Sequence, residues 1–446
     1  GTPFMNDINN YLLKFIKEKK QNDSAWRTPK VVYSSSFVPG EGEHKILDWI
    51  RSCRHQSNWK PNMTHILYST DADLIFLTLR THEPYFSILR EADSSAYQKP
   101  KEKFEYSETK MKWDADAFEI LNINLVREYL SVDFNVKGEE LEKTIDDFVA
   151  ISFLVGNDFI PEFSDIVIQK GSFNTIINCF KEVRTKRNNE HLIINGDFNK
   201  SFLKELFTKI VSELENVYNE KNPEKISYEQ YNRNYILSKY PDQKDNYDAL
   251  IKDMAFNIFN AFYWVLQYYE SGCPSWIWSY RYHYSPPLQL VIPFIDQYEP
   301  HFELGTPTRP LLQQLFVLPP QSADLMPKKL RELIVPPSPI ADLYPTDFEI
   351  DLNGKKNDYQ ATILISILDF DCVSTEYNKI CNQLSPEDLE RVKVMKALLF
   401  ENDKEPVEID FTPCILDSTN RTTELPDFPC QNGPIFSKSL ISLSKS

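Results

Sequence analysis

The chain has 446 residues, 41% of them hydrophobic, enough to bury a large core and to fold as two or three subdomains. A formal net charge of -16 argues against nonspecific nucleic-acid binding by bulk attraction, though it leaves room for a local basic channel. Seven cysteines, an odd number with no C-x-x-C pair, fit reduced intracellular thiols better than a disulfide framework or zinc site, and no signal peptide or long uncharged apolar run argues for membrane insertion.

In chain order, Thr2 caps a first helix with Pro3 at its opening position, and Phe4, Ile8, Leu12, Phe15 and Ile16 form its buried face. Val31-Val32-Tyr33 reads as a strand ended by Ser34-Ser35-Ser36. Glu41 and Glu43 then precede Ile46, Leu47, Ile50 and Cys53, a helical apolar stripe, so Glu-x-Glu lies on a loop opening a helix. His44 beside them reads as an exposed or capping group with no catalytic role. Lys45 either offsets the carboxylates, contacts phosphate or belongs to a solvated helix face.

His65-Ile66-Leu67-Tyr68 is a short strand, and Ser69-Thr70 ends it. Asp71 and Asp73 follow, and Leu74, Ile75, Leu77 and Leu79 make a helix whose first turn holds Asp73. Strand, helix, strand is the βαβ order of a parallel sheet, and open α/β sheets place ligands in the crevice where strand hands over to helix. Residues 91–112 are polar, carry five lysines and read as a mobile connector. Trp113-Asp114-Ala115-Asp116 repeats the D-A-D string, but no apolar strand feeds it, and Phe118, Ile120, Ile123 and Leu125 beyond it look like packing positions. A helix with Ile145, Phe148, Val149 and Phe153 on one face follows. Its Asp146 and Asp147 either approach the acidic cluster or are exposed or structural charges. Asp158 comes after Gly156, which permits a sharp exit, and Asn157 is placed to orient it.

Glu41, Glu43, Asp71, Asp73 and Asp158 thus sit at element termini, and together they suggest one cluster. At ~5 Å and an effective dielectric near 20, each like-charged pair repels by roughly 3 kcal/mol, so the cluster needs cations. Hard oxygen donors with no His or Cys favour Mg²⁺ or Mn²⁺, and several carboxylates can hold two ions for in-line phosphodiester hydrolysis. On spacing alone, an Asp-x-Asp at a helix start is more often a cap beside a solvated residue.

Residues 173–269 read as mainly helical, with a polar break at 219–248 and a strongly apolar core helix at 251–269. In residues 272–286, Trp276, Trp278, Tyr280, Tyr282 and Tyr284 alternate, so an extended backbone lines them on one face, either as a base-stacking platform or as an aromatic core stripe. Residues 286–345 hold 13 of the 29 prolines and should wrap irregularly over the core. Asp347, Glu349 and Asp351 alternate before the hairpin signal Asn353-Gly354 and read as outer-face or bracing acids. Residues 385–400 hold a helix capped by Ser385.

Several blocks resemble the signatures of the Xrn-type 5′→3′ exoribonucleases: PGEGEHKI (residues 39–46), STDADLI (69–75), HEPYFSILRE (82–91), FLVGNDFIP (153–161), REYL (127–130), GCPSWIWSYRYHYSP (272–286) and SPIADLYPTDFEIDLNGKK (338–356). They run in family order from residue 1 to about 369. The resemblance implies an α/β fold with a parallel-sheet, PIN/flap-nuclease-like core and helical and Pro-rich irregular C-terminal additions. The expected organisation is a nuclease core over 1–170, a helical region over 171–270 and an aromatic, Pro-rich part over 271–446. It implies that Glu41, Glu43, Asp71, Asp73 and Asp158 are metal-binding catalytic carboxylates for Mg²⁺, two ions or Mn²⁺ in its place. The implied substrate is single-stranded RNA with a 5′ monophosphate, hydrolysed to nucleoside 5′-monophosphates in RNA decay. Trp276 or Trp278 is expected to meet the RNA, with Trp276 favoured.

In the family a preceding segment supplies the first strand, further metal ligands and a basic pocket for the 5′ phosphate, so this chain reads as N-terminally incomplete and its unaided activity is an open question. A catalytically incomplete RNA-binding or scaffold remnant is the alternative. A structure-specific 5′ DNA nuclease ranks lower, because residues 162–171 show no glycine-rich helix-hairpin-helix. No basic import cluster is evident, which leans cytoplasmic over nuclear.

Overall fold

In a computed structural model, the described residues are 1–54, 56, 59–60, 63–92, 118–166, 171–222, 226–401 and 404–410. Most of the connector at 91–112, the Asp-Ala-Asp string at 113–116 and the polar residues after 410 lie outside them.

The opening helix spans Pro3–Asn22, and the Thr2 hydroxyl accepts a hydrogen bond from the Met5 amide at 3.3 Å, as the Thr-Pro start predicts. Its buried side is different from the expected one. Phe4 and Leu12 are exposed, whereas Asn9, Ile16 and Lys20 are buried, because Asn9 meets Ser36 and Tyr33 while Lys20 donates to the Arg27 and Pro29 carbonyls.

Strand Val31–Tyr33 also departs from expectation. It pairs antiparallel with Ala397–Phe400, which in turn pairs with Val407–Ile409. It is therefore not the parallel neighbour of His65–Tyr68, and the βαβ unit expected between them does not form. A three-residue strand offers too few ladder bonds to fix its partner locally, and a distant segment satisfies it. The parallel pairing occurs one unit later, between His65–Tyr68 and Phe86–Glu91, with the Leu74–Arg80 helix as the crossover. Phe118–Asn122 adds an antiparallel third strand. The fold is mixed α/β with small sheets, and a broad parallel core is not seen among the described residues. Ile120, expected to pack, is 64% exposed on the same sheet face as Ile66 and Tyr68, while Leu67, Phe86 and Ile88 fill the opposite face.

The short Leu74–Arg80 helix occupies the centre. Helices Gly42–Arg54, Ile123–Phe134, Glu139–Ser152 and Tyr247–Ser271 pack around it, and Leu74, Leu77 and Leu79 are fully buried. One apolar core runs from Leu47 to Tyr298 and a second joins Leu311 to Leu384. Helices Ser172–Lys186, Lys200–Lys221, Tyr228–Lys239 and Tyr247–Ser271 bear out the mainly helical reading of this stretch, but Tyr228–Lys239 forms inside residues 219–248, where a polar break was expected. Among the described residues, no helix is long and apolar enough to cross a membrane.

Asp146 and Asp147 are structural. Asp146 pairs with Arg80 and with His82 Nε2 at 2.8 Å, while Asp147 accepts from His191 Nδ1 at 2.7 Å and the Ile193 amide at 2.8 Å. The next layer joins His82 and Arg127 to Glu142. Of the acidic run before Asn353-Gly354, Asp347 and Glu349 are exposed and Asp351 is a brace. Glu349–Asp351 pairs with Thr362–Leu364, and Asp351 accepts from Lys239 and from the Tyr284 hydroxyl, which hold its carboxyl down at about 2. Ser385 caps a helix, but that helix is only Pro386–Glu390; Ala397–Phe400 is the strand described above rather than its continuation.

Candidate active site

The expected positions of the five carboxylates hold at the level of local structure. Glu41 immediately precedes the Gly42–Arg54 helix and Glu43 lies in its first turn. Asp71 lies in the turn after strand His65–Tyr68, and Asp73 is the residue before Leu74–Arg80. Asp158 follows the short 3-10 turn Phe153–Val155. Gly156 makes that exit with φ +83, and a Cβ there would sit 2.7 Å from the Glu162 amide nitrogen, so only glycine fits. Asn157 closes the loop, its side-chain oxygen accepting from the Phe159 and Ile160 amides at 2.9 and 3.1 Å.

Three chain segments bring these acids into one electrostatic neighbourhood. Burial raises the Asp73 carboxyl to about 6, and the charges of Glu43, Asp71 and Asp158 push it the same way. Burial also raises Glu41; the Tyr268 hydrogen bond opposes this, and Glu43, Asp73 and Asp158 add to it. Asp73 makes no helix-cap hydrogen bond, and its Oδ1 is buried with no partner. The simple capping account of this Asp-x-Asp therefore fails at Asp73. An unpaired buried carboxylate oxygen is costly, and a cation is the natural partner for it.

The donor set is oxygen only, which suits a hard divalent ion. Among the described residues, no three His, Cys, Asp or Glu side chains converge on a single ion-sized point, so the coupling acts over distances longer than one coordination shell. The chemistry of the donors and the orphaned Asp73 oxygen fit Mg²⁺ or Mn²⁺.

Behind the acids stands an aromatic wall that the sequence did not announce. His44 is buried rather than exposed, stacked on Tyr268 with ring centroids 3.6 Å apart. Burial, with Arg51 adding to it, lowers its pKa to about 3, so the imidazole is neutral near pH 7. Tyr268 donates to Glu41 Oε2 at 3.1 Å. Its signal was present, a Tyr-Tyr pair ending an apolar helix, but that pattern reads first as core. Lys45 donates to the Val38 carbonyl at 3.1 Å and braces the loop that carries Glu41.

The two tryptophans part company. Trp276 reaches the Glu41 loop, its Cη2 lying 3.7 Å from where a Cβ would stand on Gly40. Trp278 instead packs on the core, stacked on Trp264 with centroids 5.4 Å apart. The alternating tyrosines are packing residues: Tyr280 bonds to the Tyr284 carbonyl, Tyr282 to Asp253 and Tyr284 to Asp351. No regular strand forms there to line them on one face.

Compared with known proteins, residues 1–92 match the XRN 5′-3′ exonuclease N-terminus, and residues 139–234 and 225–426 match the Xrn1 helical domain. Human 5′-3′ exoribonuclease 1 is 32% identical over 444 residues, which covers 83% of this chain and 26% of the relative. The Saccharomyces cerevisiae 5′-3′ exoribonuclease 1 is 26% identical, covering 90% of this chain and 36% of the relative. A Drosophila melanogaster 5′-3′ exoribonuclease 2 homolog is 27% identical, covering 91% and 56%. The chain thus spans between a quarter and somewhat over half the length of these relatives. With both matches together covering most of the chain, the chain belongs to the Xrn family of 5′→3′ exonucleases.

Proposed function

We propose that this protein is a divalent-metal-dependent 5′→3′ exoribonuclease that hydrolyses single-stranded RNA bearing a 5′ monophosphate to nucleoside 5′-monophosphates. The observation that supports this reading is the mutual charge influence of Glu41, Glu43, Asp71, Asp73 and Asp158, together with a buried Asp73 oxygen that has no partner. The similar proteins, 5′-3′ exoribonucleases 1 and 2, support the same reaction.

Asp71 and Asp73 would hold metal from the strand end, Glu41 and Glu43 from the helix opening and Asp158 from the Gly156 loop. A divalent ion held by these carboxylates would supply the chemistry that activates water for attack and offsets charge on the leaving oxygen. Trp276, beside the Glu41 loop, offers a ring on which a terminal base can stack without regard to its identity. His44 and Tyr268, buried and stacked on each other, line the side of the site next to Glu41.

A non-hydrolytic RNA-binding chain is the second reading. Decay of 5′-labelled single-stranded RNA in Mg²⁺ separates the two, with 5′-monophosphate and 5′-hydroxyl ends compared. The exonuclease releases labelled mononucleotide from the phosphorylated RNA alone. Binding of both RNAs without release supports the second reading, and release of labelled oligonucleotides or equal cleavage of DNA flaps contradicts the first.

A further inference from the structure

We infer that Tyr268 is a positioning residue of the carboxylate site, aligning Glu41 through its hydroxyl and tying the Glu41 and Asp158 segments together through its ring. This rests on the reading of the five carboxylates as a metal site.

Tyr268 lies near the end of the Tyr247–Ser271 helix, more than two hundred residues from Glu41 in sequence, and its hydroxyl donates to Glu41 Oε2 at 3.1 Å. Its ring stacks on His44 at an interplanar angle of 8°, and His44 Nε2 stands 3.8 Å from the same Glu41 oxygen. On another side Phe159, the residue after Asp158, meets the Tyr268 ring edge-on with centroids 5.6 Å apart. Trp264, one turn earlier on the helix, packs against both rings at 4.8 and 4.9 Å. One side chain therefore touches the two segments that present Glu41 and Asp158.

The chemistry suits the task. Tyr268 is 6% exposed, so packing fixes the direction in which its hydroxyl points. A tyrosine hydroxyl keeps its proton near neutral pH, so it remains a donor. A phenol has a single hydrogen to give, and giving it to Oε2 leaves Oε1 for an ion. A side chain 45% exposed, as Glu41 is, would otherwise sample several rotamers. Hydrogen-bond partners of ligating carboxylates commonly govern metal affinity in this way.

The test uses the full chain and Mn²⁺ as the probe, titrated by electron paramagnetic resonance. Tyr268→Phe keeps the ring and removes only the hydroxyl. It should weaken Mn²⁺ binding by about tenfold while leaving the melting temperature in chelator within error of the parent. In a Glu41→Ala background the same change should cost no further affinity, because no side chain remains there for the hydroxyl to align. Equal Mn²⁺ affinity in parent and Tyr268→Phe overturns the positioning role and leaves the metal site standing. A lower melting temperature with unchanged affinity also overturns it, since that is a purely structural residue. A parent that binds no Mn²⁺ overturns both readings.

Discussion

Replacing Asp73 with Asn should make the metal-free protein more stable while removing its function. The folded carboxyl sits at about 6 against an ordinary 3.8, through burial first and then the charges of Glu43, Asp71 and Asp158. Taken at face value that difference corresponds to about 3 kcal/mol against the charged form. Asp73 is only partly buried, and solvent screening reduces the figure to about 1–2 kcal/mol. A carboxyl raised in the folded state binds its proton more tightly there than in the unfolded chain, so stability falls as pH climbs from ~4 to ~6 and stays reduced above that. Asn carries no charge and forfeits no cap, because Asp73 makes no capping hydrogen bond. In chelator near neutral pH, urea unfolding of Asp73→Asn should therefore give about 1–2 kcal/mol more stability than the parent, shrinking to nothing near pH ~4. Millimolar Mg²⁺ should narrow or reverse the gap, since only the parent keeps the full ligand set. A variant less stable than the parent in chelator, by an amount that does not change with pH, would refute the repulsion argument.

Three further outcomes follow from the geometry. Gly156→Ala should destabilise by at least about 2 kcal/mol, from the positive φ and the collision with the Glu162 backbone, and should depress turnover by shifting Asp158; a wild-type urea midpoint would show that the loop is not so constrained. Trp276→Ala should weaken single-stranded RNA binding by about 1–3 kcal/mol with little change in melting, whereas Trp278→Ala should lower melting instead; the reverse pattern in a binding and melting series would exchange their roles. Glu142 is held at about 2 although burial alone would raise it, because Arg127 and His82 more than offset that effect. Its contribution is present above pH ~4.5 and lost as pH falls toward ~2, so Glu142→Gln should cost about 3–5 kcal/mol near neutrality and much less in acid. An equal loss across that pH range would mean that packing, not charge, is at stake.

The parts of the site legible in sequence were those set by local rules. Strand ends, helix starts and the glycine exit at Gly156 are written in adjacent residues, so the placement of Glu41, Glu43, Asp71, Asp73 and Asp158 at element termini could be read directly. Pairing over distance could not. Strand Val31–Tyr33 finds its partner at Ala397–Phe400, and nothing near either strand points to the other. His44 looked exposed because its neighbours are charged, yet the burying surface is Tyr268, far along the chain. The same distance hid Tyr268, whose helix reads as core and is largely buried. The aromatic run at 276–284 was ambiguous for a related reason: alternation marks a face only if the backbone is extended, and here each ring answers to a different partner. Asp146 and Asp147 read chiefly as exposed or structural charges, and their pairing with Arg80, His82 and His191 makes them structural.

The most direct measurement is a crystal structure of the chain grown with Mn²⁺ and recorded near the manganese absorption edge. The account predicts anomalous density between carboxylates drawn from at least two of the three segments, with Asp73 Oδ1 among the ligands. Density confined to other acids, such as Asp347 or Glu349 near the hairpin, or no density among the five at saturating Mn²⁺, would contradict it.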